Sequence, residues 1–303
     1  MHRAVDRNAI SRAHVGWRAS GFGRQVNLRT AAVILMAAAP AALFAQWPSY
    51  PTPGVPRTPD GKPNLSAPAP KTPDGKPDLT GLWETARASA PAAAPNPKAP
   101  VTNDDFLAAA RRSPFWNLGA SFKDGLPYQP WAAELHRQRV ADNNKDNPDA
   151  HCLPMGIMQF HNHPEPRKMV QTSQVIVILY EANAGIRQIF LDGRPLPKDP
   201  DPWWYGYSTG HWEGDTLVVQ SAGFRDLGWL DVEGSPLTDS GRVIERFHRP
   251  DFGHLDIEVT IDDPKAYSKP WTVSVHQRIM VDSEIIEFVC QENEQDAQHL
   301  TAK

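Results

Sequence analysis

The sequence predicts a mainly β protein: an antiparallel meander that closes as a barrel or folds as a sandwich, with one or two short helices before it. Three observations predict this. From Lys168 onward apolar residues recur at alternate positions, the segments so patterned are short, and turn-forming residues separate them. Strands that follow one another through short turns form a meander, and one of about eight to ten strands protects its edges by closing or by folding onto itself.

In chain order, Asp78-Leu-Thr-Gly-Leu-Trp83 is the first place a strand can begin, and Gly81-Leu-Trp83 is expected to supply it. Helices are expected over 103–112, with Asn103 as the cap and Asp104 and Asp105 in the first turn, and from Pro130 or Trp131 to about Asp142, with Trp131, Leu135 and Gln138 at helical spacing. Val175 to Tyr180 and Ile186 to Leu191 pair around Ala182–Gly185. His211 to Gln220 reads as a hairpin turning at Gly214-Asp215, with Trp212 opposite Leu217 on the core face and His211 opposite Val218 on the other. Arg242 to His248 is a further strand. Leu255, Ile257, Val259 and Ile261 alternate with polar residues and mark a half-buried one. A last hairpin is expected from Trp271–Val281 and Glu284–Gln291 around Asp282-Ser283. It would set Arg278 opposite Glu287, His276 opposite Val289, and Val275 opposite Cys290 on the core face.

The chain divides into four stretches. Residues 1–45 read as a secretory signal: six arginines against one acid, then an apolar run from Ala31 to Phe44, too short and too interrupted by Pro40 to cross a bilayer as a helix. Its removal takes the formal net charge from −4 to −9. So acidic a chain disfavours nonspecific binding to nucleic acid. Residues 46–77 are rich in proline and repeat Thr-Pro-Asp-Gly-Lys-Pro at 58 and 72, which reads as a semi-extended tether of tight turns. Residues 78–167 hold the Pro/Ala spacer, the short helices and the Cys152 loop, and 168–303 the β core. The two cysteines, Cys152 and Cys290, read as one disulfide in an oxidising compartment, the alternative being two unpaired thiols. The expected location is the periplasm or the medium, with no transmembrane segment in the mature chain.

Five stretches carry a resemblance: Pro73 to Trp83 (PDGKPDLTGLW), Cys152-Leu-Pro-Met-Gly156, Ile189 to Arg194 (IFLDGR), Gly210 to Val219 (GHWEGDTLVV) and Cys290-Gln-Glu-Asn293. Over most of residues 72–299 the chain resembles a family of uncharacterised exported bacterial proteins, which implies export and the extent of the domain and implies no activity. Gly81-Leu-Trp83 is also similar to the opening of the first strand of lipocalin-type barrels, which implies a calycin-like barrel as one option.

Three clusters offer chemistry. His161, His163 and Glu165, spaced two apart in a proline-held stretch, could present two imidazoles and a carboxylate to a divalent metal; the competing reading is a solvated polar loop. Trp203, Trp204 and Tyr205 put three aromatics in one loop, where flat apolar faces suit a small aromatic ligand; the competing reading is a cap on a barrel end. His211, His276, Arg278 and Glu287 are candidates for acid/base work if their face lines a cavity, and a wet surface face if it does not. Gly-rich phosphate loops, Gly-x-Ser-x-Gly, His-Glu-x-x-His and Cys-x-x-Cys are not present in the sequence. The expected function is small-molecule binding by an exported barrel; the alternatives are a metal-assisted or acid/base hydrolase or lyase, and a structural module of the cell envelope.

Overall fold

The computed structural model describes residues 51–86 and 113–290. The segment read as a secretory signal, the helix expected over 103–112 and the chain beyond 290 lie outside the described residues.

Among the described residues nine strands close into a barrel. They are β1 (Gly81–Thr85), β2 (Arg167–Gln171), β3 (Val175–Tyr180), β4 (Ile186–Phe190), β5 (Tyr207–Glu213) and β6 (Thr216–Ala222), then, past a small ribbon of β7 (Gly228–Trp229) and β8 (Pro236–Leu237), β9 (Arg242–His248), β10 (His254–Asp262) and β11 (Trp271–Met280). The order around the wall is β1-β11-β10-β9-β6-β5-β4-β3-β2, and β2 returns to β1 with Lys168 opposite Leu82. The predicted registers Trp212 to Leu217 and His211 to Val218 are present, as is the β3–β4 pair. Gly214, at φ +61, supplies the left-handed turn residue between β5 and β6.

Two features depart from a plain meander. Residues 191–206 cross back along the wall, so β4 and β5 run parallel and pair only through Ile189 with Ser208 and Phe190 with Thr209. The place beside β11 expected for 284–291 belongs to β1, so Arg278 faces Glu84 instead of Glu287. The chain leaves the wall at Asp282 (φ +55), whose carboxylate accepts from Thr52 N and Arg57. A strand of an open hairpin keeps one edge unpaired, whereas β1 closes the ladder on both sides.

Alternation fills the interior: Leu255, Ile257, Val259 and Ile261 of β10 and Val273, Val275 and Ile279 of β11 are buried together with Trp83, Met169, Ile176 and Phe247. At one end helix α1 (Pro130–Ala141), begun by Pro130 in the position where a missing N–H costs nothing, buries Ala132, while Arg139 stacks on Trp229 at 4.3 Å. Trp131 is exposed, its indole nitrogen donating to Lys265 O. Helix α2 (Ile157–Asn162) is buried from Ile157 to His161 and packs into the barrel.

At the other end lies the proline-rich repeat. Phe252 N donates to Ala67 O and Gly253 N to Leu65 O, Leu79 N donates to Gln171 Oε1, and Arg57 pairs with Asp282. Residues 51–80 are therefore laid against the strand ends, where the repeat's Pro-Asp-Gly turns leave Leu65, Ala67 and Leu79 to face the core. Buried Arg249 ties this end together, stacking on Trp83 at 4.9 Å and donating to Asp78 O and Phe252 O.

Gly156, in the Cys-Leu-Pro-Met-Gly stretch, admits the ribbon: a Cβ there would stand 1.7 Å from Trp229 O. Gly156→Ala is expected to cost about 1–3 kcal/mol, because backbone rather than a flexible side chain would have to move. A thermal midpoint within a degree of the parent would contradict that packing.

Candidate functional site

The period-two pattern that builds the wall also carries polar groups inward. In β4, Ile186 and Gln188 are exposed while Arg187 and Ile189 are buried; in β9, Glu245 lies between Val243 and Phe247 on the buried face. Arg187 donates from Nη1 to Glu245 Oε1 at 2.8 Å and from Nη2 to Oε2. Its Nε and Nη2 reach Ser208 Oγ at 3.3 and 3.2 Å, and Nη2 reaches Ser221 Oγ at 3.0 Å. The two serines face each other across β5 and β6, 2.7 Å apart. From α2, His161 Nε2 meets Glu245 Oε1 at 2.6 Å. A second buried cation, Arg167 of β2, donates to His161 O, His163 O, Glu165 O and Thr85 Oγ1 and so ties down the carbonyls at the end of α2.

The charge states follow from burial and partners. Burial works to raise the Glu245 carboxyl, but Arg187 beside it and the hydrogen bonds from Arg187 and His161 prevail and hold it at about 2. Burial lowers the His161 imidazole more than Glu245 raises it, so the ring is neutral. Burial lowers Arg167 to about 10, which leaves it a cation at neutral pH. Both arginines are thus cations: Glu245 pairs with Arg187, while Glu165 and Glu84 act on Arg167 through space.

His161 makes stability fall with falling pH. Its folded pKa is depressed, so below the unfolded value of about 6.5 the unfolded chain takes up a proton that the folded chain refuses. The expected contribution is a slope of at most about 1.4 kcal/mol per pH unit in the acid range below pH 6.5. Urea midpoints between pH 7.5 and 5 should fall less steeply in His161→Gln; parallel curves would refute the assignment.

A cleft opens through the wall beside this cluster. Because only the end of β4 pairs with the start of β5, the Ile186–Gln188 edge stands apart from the segment that enters β5, and a cavity of about 210 Å³ lies between them. Arg187 and Ser208 line it on the inner side, and Phe190, Trp203, Trp204, Tyr205 and Tyr207 supply aromatic walls. Tyr205 packs inward on Phe160 at 5.0 Å, whose ring in turn stacks on Tyr180 at 4.2 Å. Trp203 is 52% exposed, yet its backbone is held by Gly223 O and Arg225 N. Arg194 stacks on Phe190 at 4.0 Å and donates to Tyr207 Oη, and Arg225 lies 4.8 Å over Trp204.

The other candidate residues sit elsewhere. His161, His163 and Glu165 do not converge: the stretch is helical through Asn162, His161 turns inward to Glu245, and His163 pairs with Glu165 at the end of α2. No group of three or more metal-ligating side chains is assembled among the described residues. The expectation of an extended three-ligand strand fails because α2 continues to within two residues of Pro164. His276 and Arg278 lie on the outer face, with His276 2.6 Å from Asp256 and Arg278 bonded to Glu84, and Glu287 is off the wall. His211, also outside, is 3.3 Å from Glu213, which Arg246 holds in turn.

Cys152 and Cys290 are joined by a disulfide. Cys290 is half-buried outside the barrel and does not lie opposite Val275, because the segment carrying it is not a strand. Arg187 and Glu245 were legible in principle: each is a charge on the apolar face of its strand, and the two are opposite in sign.

Compared with family models, curated proteins and solved structures, the chain gives no match in any of the three.

Proposed function

We propose that the protein is an exported β-barrel that binds a small apolar or aromatic molecule in the wall cleft between β4 and β5. The observation that carries this reading is the aromatic lining of that cleft, supplied by a loop whose backbone is pinned while Trp203 stays open to solvent. Stiff aromatic walls bind flat faces at low entropic cost. The cavity of about 210 Å³ exceeds the ~150 Å³ of an apolar cavity that takes up benzene. The barrel interior is occupied by core side chains and by α2, so the wall rather than a central calyx is the place offered to a ligand. Export is supported by the basic-then-apolar pattern of residues 1–45, by the family likeness, and by a disulfide of the kind that persists in oxidising compartments. No helix among the described residues is long and apolar enough to cross a membrane.

Toluene binding, followed by tryptophan fluorescence, tests the cleft. Trp203→Ala is expected to weaken it by about tenfold, equivalent to roughly 1.4 kcal/mol, while stability stays within about 0.5 kcal/mol because the side chain is half in solvent. Unchanged affinity in Trp203→Ala would place the ligand elsewhere. Native mass spectrometry of the protein from its own host is expected to show a co-purifying molecule that this variant releases.

A further inference from the structure

We infer that the ligand of the wall cleft is an aromatic acid: a single ring held among Trp203, Trp204 and Tyr207, with its anionic group directed inward to the Tyr180 hydroxyl and the Arg187 side of the cluster. The inference rests on the proposed binding reading and names its ligand class.

Two independent observations carry it. The first is an unsatisfied donor. Tyr180 is buried on the inward face of β3, and its hydroxyl has no hydrogen-bond partner. It stands close to Arg187, whose guanidinium has no acceptor for its O–H, and its ring lies 6.4 Å from that of Tyr205, so both of its neighbours line the cleft. A buried hydroxyl without a partner costs about 1–3 kcal/mol, and an acceptor arriving through the cleft would recover it. Burial raises the Tyr180 pKa, so the group remains a donor at any ordinary pH.

The second is charge. Arg167 and Arg187 are both fully buried inside the barrel, and the buried carboxylate of Glu245 pairs with Arg187. Arg187 is paired; Arg167 is bonded directly only to carbonyls and Thr85, with Glu165 and Glu84 acting on it through space. Both cations act on Tyr180, and a buried cation with no carboxylate bonded to it favours an anion brought near it. At the cleft's rim, Arg225 lies over Trp204 with no carboxylate partner among the described residues, adding a cation where an anion would enter. A neutral apolar ligand would use neither feature.

Calorimetry of the full mature chain with benzoate, benzamide and toluene, at low and at 0.5 M salt as roughly the limits of screening, separates the possibilities. The expected result is benzoate binding at least about tenfold tighter than toluene, with benzamide between them. Tyr180→Phe, which keeps the ring that stacks on Phe160, is expected to weaken benzoate about fivefold to tenfold and to leave toluene unchanged. Arg225→Gln should reduce the salt dependence of benzoate binding. Equal binding of benzoate and toluene, or a Tyr180→Phe variant that still prefers benzoate by the same ratio, would overturn the acid and leave the aromatic cleft standing. Failure of all three compounds to bind would overturn both.

Discussion

Replacing Glu245 by Gln is expected to destabilise the protein by about 3–5 kcal/mol, the cost of removing one partner from a buried ion pair. The carboxylate is fully buried and accepts from Arg187 twice and from His161 once, so the amide would leave the Arg187 cation with two serine hydroxyls and no counter-charge. The titration of Glu245 gives a similar size by another route. Its folded pKa of about 2 lies below the unfolded value, so it adds stability above about pH 4.3 that is lost as pH falls towards 2, on the order of 3 kcal/mol in all. The double replacement Arg187→Met with Glu245→Leu should recover most of the loss, because two apolar side chains of like volume avoid desolvating charges. Urea unfolding of the single and double variants decides it. A single variant that loses less than about 1 kcal/mol would mean that water reaches the pair.

Breaking the Cys152–Cys290 bridge is the second large effect. The bridge spans 138 residues and encloses β2 to β11, so in the chain-entropy model its removal frees the unfolded chain by about 5 kcal/mol, with about 2–4 the usual yield. In the folded state it anchors residues 281–290, which carry Ile286, Phe288 and Val289 exposed. The wall itself closes through β1 and does not depend on that segment. A Cys152→Ser, Cys290→Ser pair is therefore expected to keep the β signature by circular dichroism, to unfold at lower urea by about 2–5 kcal/mol, and to be cut by protease after Val281. Loss of the β signature in the pair would show that the segment is part of the wall.

Local pattern was a good guide wherever one strand meets the next through a tight turn. Trp212 opposite Leu217, the β3–β4 pair and the buried face of β10 all follow from alternation and turn chemistry, which act over a few residues. It failed at closure. Glu284–Gln291 alternates as well as any strand, yet the edge of β11 goes to Gly81–Thr85, almost two hundred residues away, since only that pairing joins the first strand to both β2 and β11. The histidine cluster failed for a related reason: spacing alone read His161 and His163 as neighbours on one face, and α2 turned one into the core and left the other to Glu165.

The aromatic run at 203–205 was visible as three letters, and what it lines was not. Its cleft exists because 191–206 returns along the barrel and makes β5 parallel to β4, a long-range choice that period two does not encode. By itself, then, the sequence determined a β meander with most of these strands and pointed to a disulfide between its two cysteines, because periodicity, turn residues and composition are local quantities. The tertiary structure alone decided which edge closes the barrel, that the proline-rich repeat packs across its end, and that Arg187, Glu245 and His161 meet inside. Each of those depends on contacts between residues far apart in the chain, where the free energy of burying apolar surface and pairing buried charge outweighs local preference.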